Sequence, residues 1–238
     1  MTARPFHFKY FSLFHHQSTM KVGTDVVLLG SWVPVRQVKK ALDIGTGCGI
    51  LGLMLSQRAV PQLDAVELDE LSALEAKSNF NNSQWRSQLK VYCMDIRQFA
   101  INFPEKRYDL ILSNPPFFVN SFKGIEKRRN QARHTDSLSF DELASVVKKL
   151  LYPNGNFAVV LPFRESLEFV ETARNIGLYV KARQLIIPVE GRPANRINLL
   201  FSLKAVDEIQ SENFTIRNTQ GDFTEQYKQA LKDFYLGL

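Results

Sequence analysis

Residues 42–50 read LDIGTGCGI, a short apolar run that leads through three glycines into a helix-like stretch. Glycine lets a backbone turn tightly and approach a ligand without a Cβ in the way. A helix that begins behind such a loop offers free N–H groups and the positive end of its dipole. Glu67 ends the next apolar run, where an acidic group can accept both hydroxyls of a ribose. The stretch therefore predicts an α/β fold with a nucleotide-like ligand beside its first strand.

The glycines by themselves leave the ligand open. Gly47, Gly49 and Gly52 satisfy the pattern G-x-G-x-x-G, which permits a nicotinamide cofactor. Asp43 favours another ligand, because its carboxylate would repel a pyrophosphate but suit a cationic amino group such as that of S-adenosylmethionine. A glycine loop that only packs a helix on a strand is the structural alternative.

Short apolar runs alternate with helix-like stretches from about residue 40 to residue 203, which is typical of a parallel sheet covered by helices. The predicted strands are 41–44, 63–68, 89–93, 108–113, 157–161, 180–187 and 197–203. The predicted helices are 26–32, 50–58, 70–82, 139–151 and 165–175, with Gly177 as a left-handed cap. The last two strands have no helix between them, which predicts an antiparallel pair at one edge of the sheet.

We expect one domain in three parts: an extension over 1–38 that includes a segment covering the substrate or cofactor, a Rossmann-like core over 39–203 and an attachment over 204–238. The attachment is predicted to add an edge strand near 214–216 and a helix over 224–235. The aromatic side chains of the extension could stack on bases, but such residues more often cover the edge of a core.

Composition excludes several classes of protein. The chain has 238 residues, of which 45% are hydrophobic and 23% charged, and this excludes global disorder. No apolar run approaches the ~20 residues of a spanning helix, and we expect no signal peptide and no membrane. The two cysteines lie far apart and the histidines lack acidic partners at ligand spacing, so no disulfide framework and no metal are expected. We expect a cytoplasmic protein; the oligomeric state is left open.

Residues 109–117 read DLILSNPPF and indicate the chemistry. Asn114 offers an amide oxygen, and Pro115 offers a backbone carbonyl that Pro116 helps to stiffen. Two convergent acceptors suit an amino group on a planar ring, and Phe117 offers a face on which that ring can stack. These four residues are the candidate catalytic group. Asp95, after the third strand, is predicted either to accept from an adenine amino group or to cap the helix that follows.

Basic side chains are concentrated after this motif. The formal net charge is +6, which points weakly towards a polyanionic partner. The candidate RNA-binding residues are Lys123, Lys127, Arg128, Arg129 and Arg133, with Arg192 and Arg196 further along. We interpret them as a surface that holds phosphates, with a solvated loop as the alternative.

These motifs resemble those of the class I S-adenosylmethionine methyltransferases that methylate amino groups. FKYF at 8–11, Gln17, MKVGTD at 20–25 and LLGSW at 28–32 are similar to the opening of the bacterial tRNA adenine-N6 methyltransferases. QARH at 131–134, SLSF at 137–140 and DFY at 233–235 fit the same family. That family modifies the adenine just 3′ of the anticodon in a valine tRNA.

The resemblance implies an enzyme with a Rossmann-like, seven-stranded class I methyltransferase sheet, mostly parallel and with helices on both faces. It implies S-adenosylmethionine as cofactor and tRNA as partner. Asp43, Gly45 and Gly47 would line the methionine end, Glu67 would bind the ribose and Asp95 the adenine. Thr24 would lie near the cofactor's carboxylate, cap the helix over 26–32, or both, and Asn114 would serve both cofactor and substrate.

Three alternatives stay open. A protein-glutamine N5-methyltransferase would use the same Asn114 chemistry. A nicotinamide oxidoreductase fits the glycines and Glu67 but leaves residues 114–117 unexplained. A non-catalytic RNA-binding protein would be expected to have lost Asn114 or Asp43, and both are present.

Overall fold

A computed structural model describes residues 4–115 and 138–237. The strands of the described residues are β1 (Phe6–His7), β2 (Ser12–Leu13), β3 (Lys40–Ile44), β4 (Gln62–Glu67), β5 (Leu89–Cys93), β6 (Tyr108–Ser113), β7 (Leu151–Pro162), β8 (Tyr179–Val189), β9 (Arg196–Ser202) and β10 (Gln210–Arg217). The helices are α1 (Thr24–Trp32), α2 (Ile50–Gln57), α3 (Glu70–Asn81), α4 (Ile96–Asn102), α5 (Phe140–Leu150), α6 (Phe163–Ile176) and α7 (Glu225–Leu231).

The central sheet has the strand order β10-β8-β9-β7-β6-β3-β4-β5. Neighbouring strands from β5 to β7 pair in parallel, β9 is antiparallel to both β7 and β8, and β10 is parallel to β8. The order of the strands reverses between β3 and β6, so their carboxyl ends flank a crevice. In open α/β sheets, ligands bind at such a point.

The prediction of seven strands is wrong by one. The short edge strand expected near 214–216 extends over Gln210–Arg217 and covers β8, so the antiparallel pair β8–β9 does not lie at the edge. Most of β10 is exposed and only Phe214 is buried, which is why apolar periodicity underestimated its length. The Gln226 side chain bonds the backbone of Asn213 and Thr215 and so satisfies two groups of the outer edge.

Each face of the sheet is covered by apolar residues. On β7, Ala158 and Val160 belong to the cluster that includes α1 and α2, whereas Phe157 and Val159 belong to the cluster that includes α5 and α6. Successive side chains of a strand point to opposite faces, so a strand buried on both faces is apolar at nearly every position. The expected helices on both faces are confirmed.

The end of α6 and the start of α1 test the capping roles predicted for Gly177 and Thr24. Gly177 ends α6 with φ 93°, in the left-handed region, as predicted. α1 begins at Thr24 itself, with Gly23 as the N-cap and no side-chain capping hydrogen bond. The capping role expected of Thr24 is therefore wrong, because the helix starts two residues earlier than its apolar pattern.

The aromatic side chains of the first residues pack inward. Phe8 and Phe11 are buried, and the Phe8 ring stacks on the rings of Phe11 and Tyr235 at centroid distances of 4.6 and 5.4 Å. The Lys9 N–H donates to the Phe234 carbonyl at 2.8 Å. The first hairpin is thereby joined to the end of the chain and covers an edge of the core. Within the described ranges, no helix combines the length and apolar character needed to cross a membrane.

Candidate active site

A pocket lies at the carboxyl ends of β3, β4 and β6. Its lining residues come from the glycine loop, from the end of β4, from α1 and α2, from the residue after β6 and from the segment before α1: Thr19, Met20, Lys21, Val22, Val26, Gly45, Thr46, Gly47, Cys48, Ile50, Leu51, Glu67 and Asn114. The structure therefore brings together four predicted site residues, Gly45, Gly47, Glu67 and Asn114. Asp43 lies just before the loop, two residues from Gly45.

The glycines of the loop have two different roles. Gly45 and Gly47 have φ of 71° and 55°, and a Cβ at either position would meet no atom within 4 Å among the described residues. These two positions leave space at the pocket. A Cβ on Gly49 or Gly52 would instead lie 2.5 or 2.7 Å from the Phe80 ring. The later glycines of the dinucleotide pattern are therefore explained by the packing of α2 against α3.

Glu67 fixes the glycine loop from the end of β4. Its Oε2 accepts the Gly47 N–H at 2.8 Å, and its Oε1 accepts the Asp69 N–H at 3.0 Å. A carboxylate oxygen has more than one lone-pair site, so each oxygen can accept a further hydrogen bond. Glu67 can therefore shape the loop and accept from a ligand's hydroxyl groups at the same time.

Asp43 is a buried carboxylate with one satisfied oxygen. Its side chain accepts from the Thr46 hydroxyl through Oδ2, while Oδ1 is buried and has no hydrogen-bond partner within the described part of the chain. The pKa of Asp43 is raised to about 7. Burial is the main cause, the hydrogen bond from Thr46 acts in the opposite direction, and the negative charge of Glu67 adds to the rise. A buried acceptor in this state favours a cationic ligand group, which would restore its charge.

Asn114 follows β6 on the other side of β3. The Ser113 hydroxyl donates to the Ile44 carbonyl at 2.9 Å and ties the end of β6 to the end of β3. The Asn114 Oδ1 is buried and has no partner among residues 4–115 and 138–237. Pro115 is half-buried, whereas Pro116 and Phe117 lie outside the described residues. An unsatisfied amide oxygen thus lies in the same pocket as the glycine loop.

Asp95 has a different environment. It caps α4 by accepting the Arg97 N–H at 2.7 Å, and it forms an ion pair with the Arg97 guanidinium, which also contacts Glu142 at 2.7 Å. Hydrogen bonding from Arg97 lowers the pKa of Asp95. The capping interpretation is confirmed, and a contact with adenine stays a prediction.

The remaining predicted residues surround the pocket or lie outside the described part. Thr24 is exposed at the start of α1, between the pocket residues Val22 and Val26. Arg192 is exposed in the turn between β8 and β9, and the Nε of Arg196 lies 2.9 Å from Asp25 Oδ2. The other RNA-binding candidates lie outside the described residues: Lys123, Lys127, Arg128, Arg129 and Arg133. No group of three or more potential metal ligands occurs in the described ranges.

Sequence reasoning expected a covering segment within 1–38 but did not assign residues 19–22, which form one wall of the pocket. These residues form no helix or strand, so no periodicity marks them. The signal that could have found them lies in α3, where Ser72, Glu75 and Asn79 place three polar side chains on one helical face. All three are buried, and buried polar groups need partners.

This strand order, the glycine loop and the Asn-Pro-Pro sequence after β6 define a class I methyltransferase fold. A solved structure described as a predicted O-methyltransferase from Agrobacterium tumefaciens shares the fold, with a TM-score of 0.69 at 16% identity over 88% of this chain and 96% of that one. Residues 13–164 match the family model of the methyltransferase small domain. The chain belongs to that family and is an S-adenosylmethionine-dependent methyltransferase.

Two relatives cover almost the whole chain. A Bacteroides fragilis protein named tRNA1(Val) (adenine(37)-N6)-methyltransferase is 39% identical over 231 residues, 97% of each chain. A Yersinia pestis protein of the same name is 40% identical over 233 residues, 97% of this chain and 93% of that one. The resemblance noted from the sequence is confirmed, and the nicotinamide alternative is removed.

Proposed function

We propose that this chain transfers a methyl group from S-adenosylmethionine to the N6 amine of adenine in tRNA, at the adenine just 3′ of the anticodon of a valine tRNA. The observation that carries the proposal is the Asn114 Oδ1 in the pocket of the glycine loop, which is buried and has no partner among the described residues. The identity of the tRNA and the position of the adenine in this proposal are taken from the names of the relatives.

The pocket fits S-adenosylmethionine through three features. Gly45 and Gly47 leave open space where other residues would place a Cβ. Asp43 holds a buried oxygen that has no partner in the described part of the chain and that suits the amino group of the methionine part. Glu67 has lone pairs free for the ribose hydroxyls. When bound, the cofactor supplies a methyl group on a sulfonium centre.

Asn114 and Pro115 prepare the acceptor nitrogen. The amine of adenine is a poor nucleophile because its lone pair is delocalised into the ring. By accepting its hydrogens, the Asn114 Oδ1 and the Pro115 carbonyl favour a more tetrahedral nitrogen whose lone pair is available. Alignment of the amine with the methyl group contributes up to ~7–11 kcal/mol in well-oriented systems.

Phosphates of the tRNA would be held beside this pocket. Arg196 pairs in register with Pro162 at the carboxyl end of β7, so it lies at the same edge of the sheet as Asn114. Arg192 lies in the adjoining turn, and Lys123, Lys127, Arg128, Arg129 and Arg133 follow Asn114 along the chain. We also propose a cytoplasmic location, where tRNA is the substrate, and a single methyltransferase domain for the chain.

The test uses methyl-labelled S-adenosylmethionine and unmodified bulk bacterial tRNA, followed by digestion to nucleosides and mass spectrometry. The expected product is labelled N6-methyladenosine that is absent with Asn114→Ala. Label in protein would instead indicate a glutamine substrate. Absence of labelled nucleoside despite measured cofactor binding would indicate a non-catalytic RNA-binding protein.

A further inference from the structure

The wall formed by residues 19–22 has no secondary structure of its own, yet it lies against the glycine loop in the pocket. Backbone N–H groups that leave water need acceptors, and a loop must find them elsewhere. Within the segment, the Val22 N–H donates to His15 Nδ1 at 3.0 Å. The backbone N–H groups of residues 14 and 16–19 find their acceptors on α3.

Glu75 binds the three consecutive backbone N–H groups of residues 16–18, which directly precede the wall. Its Oε1 accepts from His16 at 2.9 Å and from Gln17 at 3.0 Å, and its Oε2 accepts from Ser18 at 2.9 Å. The His16 Nδ1 also lies 3.0 Å from Oε1. Successive N–H groups that converge on one carboxylate form a nest for an anion. The carboxylate is 3% exposed, so these contacts are shielded from water.

The charge of Glu75 is maintained by these contacts. Burial opposes ionisation, but the hydrogen bonds from Gln17, Ser18 and His16 outweigh it and hold the pKa of Glu75 below its usual range. The carboxylate therefore stays ionised at neutral pH.

Asn79 and Ser72 extend the same set of contacts. The Asn79 Oδ1 accepts the Phe14 N–H at 2.9 Å, and its Nδ2 donates to the Phe14 carbonyl at 2.7 Å and to the Cys48 carbonyl at 2.8 Å. Asn79 thus joins Phe14 to the glycine loop. The Ser72 hydroxyl accepts the Thr19 N–H at 3.2 Å, at the first residue of the wall.

We propose that Glu75, together with Ser72 and Asn79, is a positioning residue for S-adenosylmethionine: it fixes the shape of residues 14–19 and thereby places the wall 19–22 against the glycine loop. This inference rests on the proposed assignment of the pocket to the cofactor. If the wall is already ordered before the cofactor binds, binding does not have to supply the free energy of ordering it. The affinity for the cofactor is then higher. Glu75 touches no reacting atom, so its effect falls on cofactor binding.

The test is Glu75→Gln, which keeps the size of the side chain but turns one acceptor into a donor that faces backbone N–H groups. Binding of S-adenosylhomocysteine is measured by calorimetry well below the unfolding temperature. We expect Kd to rise about tenfold or more, because charge-assisted hydrogen bonds are lost. The kcat at saturating cofactor is expected to change by less than about threefold, since the Asn114 contacts stay intact. Cleavage by trypsin after the exposed Lys21 should become faster.

Glu70→Gln is the matched control, since it makes the same chemical change at an exposed position of α3 and should leave all three readouts unchanged. If Glu75→Gln does not fold, Ser72→Ala replaces it, with a smaller rise in Kd of about threefold expected from one neutral hydrogen bond. An affinity within about twofold of wild type in the folded variant would overturn the proposal.

Glu67→Ala separates this inference from the proposed cofactor site. Loss of binding in Glu67→Ala with wild-type affinity in Glu75→Gln would remove the positioning role alone. Wild-type affinity in Glu67→Ala would instead overturn the assignment of the pocket.

Discussion

Asp43 and Asp64 lie on adjacent strands, β3 and β4, and are 1% and 7% exposed, but their surroundings differ. Asp64 Oδ2 accepts from the Tyr108 hydroxyl at 2.6 Å and from Lys106 Nζ at 2.7 Å. Asp43 lies one register position beyond Asp64 and so faces the other side of the sheet, where the described residues give it one hydroxyl partner and leave one oxygen without a partner. A buried carboxylate with cationic and hydroxyl partners supports the fold, whereas one left unsatisfied at a pocket is available to a ligand. The contrast distinguishes a structural carboxylate from one that is available to a ligand, on opposite faces of two neighbouring strands.

The largest effect is expected at Asn114, in the pocket. Asn114→Ala should lower kcat about 10²–10³-fold, as removal of one positioned hydrogen-bonding group does in other enzymes. Cofactor affinity should change by no more than a few-fold. Single-turnover methylation of tRNA and calorimetry with S-adenosylhomocysteine measure the two quantities. Undiminished methylation by the variant would remove Asn114 from the mechanism.

The structural role of Asp64 is tested by Asp64→Asn. This change leaves the Lys106 ammonium beside an amide and should lower the free energy of unfolding by about 2–3 kcal/mol, because one partner of a largely buried pair loses its charge. Urea denaturation measures it. Cofactor affinity should be unchanged, and a large loss of affinity with intact stability would contradict the division of roles between the two carboxylates.

Asp43→Asn is the matched change at the pocket. Removal of the charge should weaken cofactor binding about tenfold, a typical contribution of a charge-assisted hydrogen bond. Stability of the unliganded protein should be unchanged or raised, because an unsatisfied carboxylate no longer has to be buried. A loss of stability as large as that of Asp64→Asn would show that both carboxylates are structural.

Asp43 also predicts a pH dependence. The pKa in the folded state, about 7, lies above the ordinary value of 3.8, so the contribution of this group to stability is fully present at acidic pH and is lost as the pH rises towards 7. Cofactor affinity should change in the opposite sense, tightening between about pH 6 and pH 8 as the carboxylate ionises. Asp43→Asn should lack both trends. Thermal unfolding and calorimetry across this range test the prediction.

The smallest expected effect is the difference in stability between the variants Gly47→Ala and Gly49→Ala. Gly47→Ala should cost about 1–2 kcal/mol of stability at its positive φ, and it should lower cofactor affinity a few-fold because its Cβ would enter the open space of the loop. Gly49→Ala should cost more stability, since its Cβ would also meet the Phe80 ring at 2.5 Å. Equal costs for the two variants would contradict the division of roles within the loop.

Local pattern predicted most of the fold. β5 and β6 have the predicted bounds, and most other elements of the core differ by one or two residues, because apolar runs and glycine caps act over a few neighbouring positions. β10 was underestimated because an edge strand can be polar on its exposed positions. The sequence did not decide whether Asp95 binds adenine or caps a helix. The Arg97 contacts that favour capping depend on side-chain geometry.

The sequence by itself determined the order of strands and helices, the glycine loop, the acidic end of β4 and the position of Asn114 after β6. Each of these depends on residues within one turn or one strand. The tertiary structure decided that Asp43 is buried and Asp64 paired, and it brought residues 14–19 onto α3. The contacts of Asp64 join positions more than 40 residues apart, and those of residues 14–19 join positions more than 50 apart, such as Ser18 and Glu75 at a separation of 57. Burial and distant hydrogen-bond partners arise only when the helices and strands pack together, and so they decide the electrostatics of the site.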